Sequence, residues 1–138
     1  MAHMTKILMV EDSKFLRLAV ERALARAGYE VSTASDGEEG LQMARVKMPD
    51  VILLDMLLPK MPGPEVLRAL KKDPATAKIA VVALTGLSSK NAGRLEQDGA
   101  CAFLEKAALH VDKGCEPLLA AVAEIVKKLG TEAAAAAK

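Results

Sequence analysis

Three unbroken aliphatic stretches constrain this chain most: Ile7-Leu8-Met9-Val10, Val51-Ile52-Leu53-Leu54 and Ile79-Ala80-Val81-Val82-Ala83-Leu84. Each is short, rich in branched side chains and free of polar alternation, which suits a strand buried on both faces. Such strands need helices above and below, and the intervening segments supply them. Leu16, Ala19, Val20, Ala23, Leu24 and Ala27 recur at helical spacing and close at Gly28. A second helix is predicted over Gly37–Lys47, a third from Gly63 with Pro64 in its first turn, and a fourth over Ser88–Gln97. Leu118, Val122, Ile125, Val126 and Leu129 give the last helix its apolar stripe. Tyr29–Ala34 alternates more and Cys101–Leu104 is short, so both read as outer strands. Strand then helix, five times over, predicts an α/β fold: a doubly wound, five-stranded parallel sheet of order 2-1-3-4-5 with right-handed crossovers.

A length of 138 residues matches one domain with one core. Met1-Ala2-His3 reads as a cloning scar, residues 4–130 as the domain, and residues 131–138, with their five alanines, as a low-complexity tail. With 19 basic against 18 acidic residues, the net charge of +1 sets up no field that would gather nucleic acid or an anionic membrane. Phe15, Tyr29 and Phe103 are too few aromatics for base stacking, so no direct nucleic-acid partner is expected. No apolar run approaches the roughly 18 to 20 residues of a membrane span, and the amino terminus lacks a secretory pattern, so a cytoplasmic location is expected. Cys101 and Cys115 show no metal-site spacing and read as reduced, buried thiols.

In open α/β sheets ligands bind beyond the carboxyl ends of the strands, where the winding reverses. The predicted order puts that point between strands 1 and 3. Glu11 and Asp12 follow strand 1 and Asp55 ends strand 3, so three carboxylates are expected to converge. An acid after a strand is most often a helix cap or turn residue, but three at one edge repel one another unless a cation neutralises them. Their hard oxygens suit Mg²⁺. Strand 4 ends in Thr85-Gly86 and strand 5 is followed by Lys106, a hydroxyl and an ammonium on the same edge. Singly, each is an ordinary turn or surface residue. Together, metal, hydroxyl and ammonium around one carboxylate are what phosphoryl transfer needs, because the moving group's charge must be spread and held in line.

With these residues in place, the sequence resembles the receiver domain of two-component response regulators, most closely the single-domain, chemotaxis-like kind. The resemblance runs from about Lys6 to Leu129 and rests on Glu11-Asp12, Asp55, Pro59 and Gly63 in the following loop, Thr85 thirty residues beyond Asp55, and Lys106 twenty-one beyond Thr85. It implies a flavodoxin-like fold. It also implies that Asp55 accepts a phosphoryl group from the phosphohistidine of a sensor histidine kinase or phosphotransfer protein, with a downstream protein target. Asp12, Glu11, Asp55 and the Leu57 backbone carbonyl would hold Mg²⁺. Thr85 and Lys106 would bind the phosphoryl oxygens, and Phe103 matches the aromatic switch position beside Thr85. Leu57 and Leu87 match the positions that flank the path of attacking water. The output face would be the fourth predicted helix, the fifth strand and the last helix.

Three departures accompany the resemblance. Ala107 follows Lys106 where the family commonly has a cis proline, so a trans peptide is expected. The stretch Ala107–Glu116 is longer than usual, and Pro62 stands where a side-chain cap usually precedes the loop glycine. Two other functions compete with a phosphorylation-controlled binding module. A Mg²⁺-dependent aspartyl phosphohydrolase of the haloacid dehalogenase class would need a second acid two residues after the nucleophile, where Leu57 stands. A receiver that no longer accepts phosphate and serves as a scaffold is opposed by the complete set of five residues. The chain is therefore not expected to be an enzyme, beyond its own phosphorylation and slow dephosphorylation.

Overall fold

A computed structural model describes residues 4–86 and 97–137. The continuous aliphatic runs form the middle of the sheet. Strands β1 (Lys6–Val10), β2 (Glu30–Ala34), β3 (Val51–Asp55), β4 (Ala80–Thr85) and β5 (Ala102–Glu105) lie parallel in the order β2-β1-β3-β4-β5. Every residue of β3 is buried. Helices α1 (Lys14–Arg26), α2 (Gly37–Lys47), α3 (Gly63–Lys72) and α4 (Glu116–Ala137) are the described helices.

Side chains of one strand point alternately to opposite faces, and the core divides accordingly. Leu8, Val10, Ile52, Leu54, Val81 and Ala83 pack against α2 and α3. Ile7, Met9, Val51, Leu53, Val82 and Leu84 pack against α1 and α4. Leu118 and Val122 are buried, with Ile125, Val126 and Leu129 partly buried behind them, so the predicted stripe of the last helix closes the second face.

The register fixes where loops emerge. Val10 pairs with Leu54, Asp55 with Leu84, and Thr85 with Glu105, so β1, β3, β4 and β5 all end at one edge. Two helices leave that edge with side-chain caps. The Ser13 hydroxyl accepts from Leu16 N–H, and the Asp36 carboxylate accepts from Glu39 N–H at 2.9 Å. Helix α3 has no such cap, because its preceding residue is Pro62.

The predicted helix over Ser88–Gln97 lies, apart from Gln97, outside the described residues, and so does Leu87. The outer strands begin one residue later than the sequence suggests, at Glu30 and Ala102. Cys101, expected buried, is exposed, because it precedes β5 at the rim of the sheet; Cys115 is buried as expected. The long connection after β5 is two 3₁₀ turns, Lys106–Leu109 and Val111–Lys113, separated by His110 at φ 50°. No cis peptide occurs among the described residues, and Lys106-Ala107 is trans. The alanine-rich tail continues α4 to Ala137. No helix among the described residues is long and apolar enough to cross a membrane.

Candidate functional site

Strand pairing brings Glu11, Asp12 and Asp55 together, each offering a carboxylate oxygen within 4.8 Å of the others. Their burial differs. Glu11 and Asp55 are fully buried, whereas Asp12 is exposed at the mouth.

Each buried carboxylate is held by its own loop. The Leu57 amide donates to Asp55 Oδ1 at 3.0 Å, and the Ser13 amide donates to Glu11 Oε2 at 2.9 Å. The opposite oxygens face the Lys106 ammonium, which lies 2.7 Å from Asp55 Oδ2 and 3.0 Å from Glu11 Oε1. Hydrogen bonding to Asp55 forms there, but Glu11 Oε1 is buried without a hydrogen bond of good geometry and is balanced by charge alone. Among the described residues, three carboxylates meet one ammonium within the pocket, an excess of negative charge.

Burial, the largest influence, pushes the Glu11 carboxyl up to about 7; Asp12 and Asp55 add to the rise, while the Ser13 amide and Lys106 oppose it. Burial also works against the Lys106 ammonium, but its hydrogen bond to Asp55 and its close charge pairing with Glu11 outweigh it and hold its pKa above the ordinary value. A raised carboxyl pKa favours the folded chain at low pH: the contribution is complete below the ordinary value of 4.5 and is lost as pH rises through about 7. Melting curves of the metal-free chain should therefore show a midpoint several degrees higher at pH 5.5 than at pH 8. Glu11→Gln should flatten that dependence; an unchanged slope in the variant would assign the effect elsewhere.

The donor set suits a divalent cation. Hard carboxylate oxygens converge, one of them lacks a hydrogen-bond partner, and one carboxylate is open to solvent. A bound Mg²⁺ would offset the excess charge and polarise phosphoryl oxygens.

The remaining sequence-predicted residues sit around this centre. Thr85 ends β4, half-buried, one residue beyond the Leu84 that pairs with Asp55. Phe103, half-buried on β5, pairs with Ala83 and packs toward the α2 and α3 face. The Leu57 side chain is 66% exposed, and its Cδ1 lies 3.8 Å from where a Cβ on Gly86 would sit, so it leans toward the end of β4. Leu87 lies outside the described residues. Sequence reasoning did not single out the Ser13 and Leu57 amides or Arg17, whose Nη1 donates to the Glu11 carbonyl at 2.8 Å. Ser13 carried a usable signal as a helix cap; the other two carried none.

The doubly wound sheet thus carries an acid cluster, a hydroxyl and an ammonium at its carboxyl edge. Residues 7–113 match the response regulator receiver domain model, and the chain belongs to that family. It is 43% identical over 103 residues to the response regulator PleD of Caulobacter vibrioides, covering 73% of this chain and 22% of PleD. It is 39% identical over 82 residues to the transcriptional regulatory protein AfsQ1 of Streptomyces coelicolor, covering 59% and 35%. The chain thus spans well under half the length of these curated relatives. Among solved structures, the chemotaxis protein CheY4 of Vibrio cholerae superposes with a TM-score of 0.80 at 32% identity, covering 89% of this chain and 99% of that one. A response regulator receiver domain protein of Clostridium thermocellum gives 0.81 at 30% identity, covering 93% and 98%. Receiver domains of this family act in two-component signalling, where they interact with histidine kinases or phosphotransfer proteins and generally bind Mg²⁺.

Proposed function

We propose that this chain receives a phosphoryl group on Asp55 from the phosphohistidine of a sensor histidine kinase or phosphotransfer protein, and that the phosphorylated form engages a downstream protein through its surface. The observation that carries this reading is the placement of the Lys106 ammonium 2.7 Å from Asp55 Oδ2, with Glu11 and Asp12 beside it. Residues 4–130 form the receiver unit in this reading, since the helical stripe ending at Leu129 is needed to cover the second sheet face.

In the transfer, an Asp55 oxygen attacks phosphorus as the bond to the donor imidazole nitrogen breaks, and the imidazole leaves with the electron pair. The Leu57 amide holds one carboxylate oxygen and so orients the other. Glu11, Asp12, Asp55 and the Leu57 carbonyl would hold Mg²⁺, which reduces repulsion between the acids and the incoming group. Lys106 and the Thr85 hydroxyl would then bind phosphoryl oxygens. The added charge of about −1.5 to −2 would draw Thr85 inward and open space for the Phe103 ring. The output face in this reading is β5, α4 and the segment before β5.

Intact mass after incubation with acetyl phosphate and Mg²⁺ tests the reading. A gain of one phosphoryl group is expected. No gain in a folded, Mg²⁺-loaded chain would favour a scaffold that has lost phosphorylation.

The apolar Leu57 has a consequence for lifetime. A branched alkyl group at the mouth cannot orient water by hydrogen bonding, and it shields the phosphoryl group. Leu57→Asn should shorten the half-life of the phosphorylated chain by about five- to thirty-fold, the equivalent of roughly 1 to 2 kcal/mol in barrier. Decay after donor removal, with Mg²⁺ present, measures this; an unchanged half-life would show that Leu57 does not govern access of water.

A further inference from the structure

The first turn of α1 is charged against its own dipole. It contains Lys14 and Arg17 and no acid, although the amino-terminal end of a helix is its positive end and favours anions. Lys14 is exposed, where solvent screens it. Arg17 does not extend into solvent: its Nη1 folds back past the start of the helix, donates to the Glu11 carbonyl at 2.8 Å and lies 3.5 Å from the Asp12 carbonyl. An unfavourable position is thereby exchanged for contact with two carbonyls of the acidic loop.

Those contacts act through the geometry of the peptide plane, in which C=O and the next N–H point in opposite directions. Drawing the Asp12 carbonyl toward Arg17 turns the Ser13 N–H the other way, and there it donates to Glu11 Oε2 at 2.9 Å. Drawing the Glu11 carbonyl toward Arg17 fixes the preceding plane in the same manner. The planar guanidinium suits the task because one Nη carries two N–H groups that can address neighbouring carbonyls, whereas a lysine ammonium is a shorter, unoriented point charge. We propose that Arg17 is a positioning residue of the acidic pocket: by holding the Glu11 and Asp12 carbonyls it keeps the Ser13 amide on the Glu11 carboxylate and so sets how Glu11 and Asp12 present oxygens to a divalent cation. The cation half of this proposal rests on the metal reading given above; the Ser13 half stands without it.

The test uses the full chain labelled with ¹⁵N, first without metal and then titrated with Mg²⁺ alone. In the metal-free protein, Arg17→Met, which keeps an unbranched stem and removes the donors, should move the Ser13 amide proton upfield, toward the position it takes in Glu11→Gln. Mg²⁺ affinity, read from amide shifts, should weaken about tenfold, and Arg17→Lys should recover part of both effects. An unmoved Ser13 amide in a folded Arg17→Met chain overturns the proposal, whatever happens to Mg²⁺ affinity. Should Arg17→Met not fold, Arg17→Lys decides by the same signal, with a partial upfield movement expected and none overturning it. Failure of the wild-type chain to bind Mg²⁺ would instead remove the metal reading, and the Ser13 resonance would still judge Arg17.

Discussion

Asp55→Asn is expected to take up no phosphoryl group from acetyl phosphate under conditions in which the wild-type chain is expected to gain one. The amide matches the carboxylate in shape, although its single oxygen can accept from Lys106 or from the Leu57 amide and not from both. What it lacks is an anionic oxygen able to attack phosphorus. Glu11, fully buried and turned toward Ser13 and Lys106, and Asp12, at the mouth, are not held in the same way by the loop after β3. Mass spectrometry of the variant should therefore show labelling below detection. Chelating divalent ions should produce a similar loss in the wild-type chain, because the incoming anion then meets three clustered acids with no metal to offset them. Labelling of Asp55→Asn at the wild-type rate would move the acceptor to another acid.

Gly63→Ala should cost both stability and labelling. A Cβ at Gly63 would lie 2.4 Å from Met56 Cα and 2.5 Å from the Asp55 carbonyl oxygen. Both are backbone atoms and cannot swing aside as a side chain can. The Gly63 amide also donates to the Met56 carbonyl at 3.2 Å, so the start of α3 is fastened to the residues it would have to push. Overpacking of this kind costs about 1–3 kcal/mol, or roughly 3–10 °C in a chain of this size. The displaced Met56 and Leu57 would carry the Leu57 amide away from Asp55 Oδ1. Gly86→Ala is the matched control: its Cβ would meet only the end of the Leu57 side chain at 3.8 Å, an ordinary contact. Thermal melts and labelling rates of the two variants measure this, and equal melting points would mean that the acceptor loop yields without cost.

The middle of the sheet was legible because burial on both faces leaves a simple trace, a run without polar alternation. Residues 51–54 show it, and β3 is wholly buried. Outer strands leave a weaker trace, and Cys101 shows how it misleads: apolar in type, it stands at the rim rather than inside. Glu11, Asp12, Asp55, Thr85 and Lys106 could be read together because parallel strands deliver the residues that follow them to one edge. Which atoms meet there could not. That one ammonium would reach both Asp55 and Glu11 depends on how the first 3₁₀ turn leaves β5, and short turns of that kind have no periodic signature. Arg17 was hidden for a related reason. A basic residue in an amphipathic helix reads as a solvated charge, and nothing in its spacing reveals that it folds back onto the carbonyls before the helix.

The sheet order also dictates when the charges meet as the chain is made. Ile7 pairs with Val51, and Val51 in turn with Ala80, so all three acids have left the ribosome and can be drawn to one edge before β5 exists. Lys106, the ammonium that faces Asp55 and Glu11, is synthesised after them. A nascent chain ending short of Lys106 thus carries the repulsion of the pocket without its internal counter-charge, and the same holds for any fragment cut before β5. Closing a β1–β3 pair already costs loop entropy that only later contacts repay, and here it costs charge repulsion as well. The acidic edge therefore favours completion of the sheet from its far side, with the last strand delivering the cation that lets the first and third remain together.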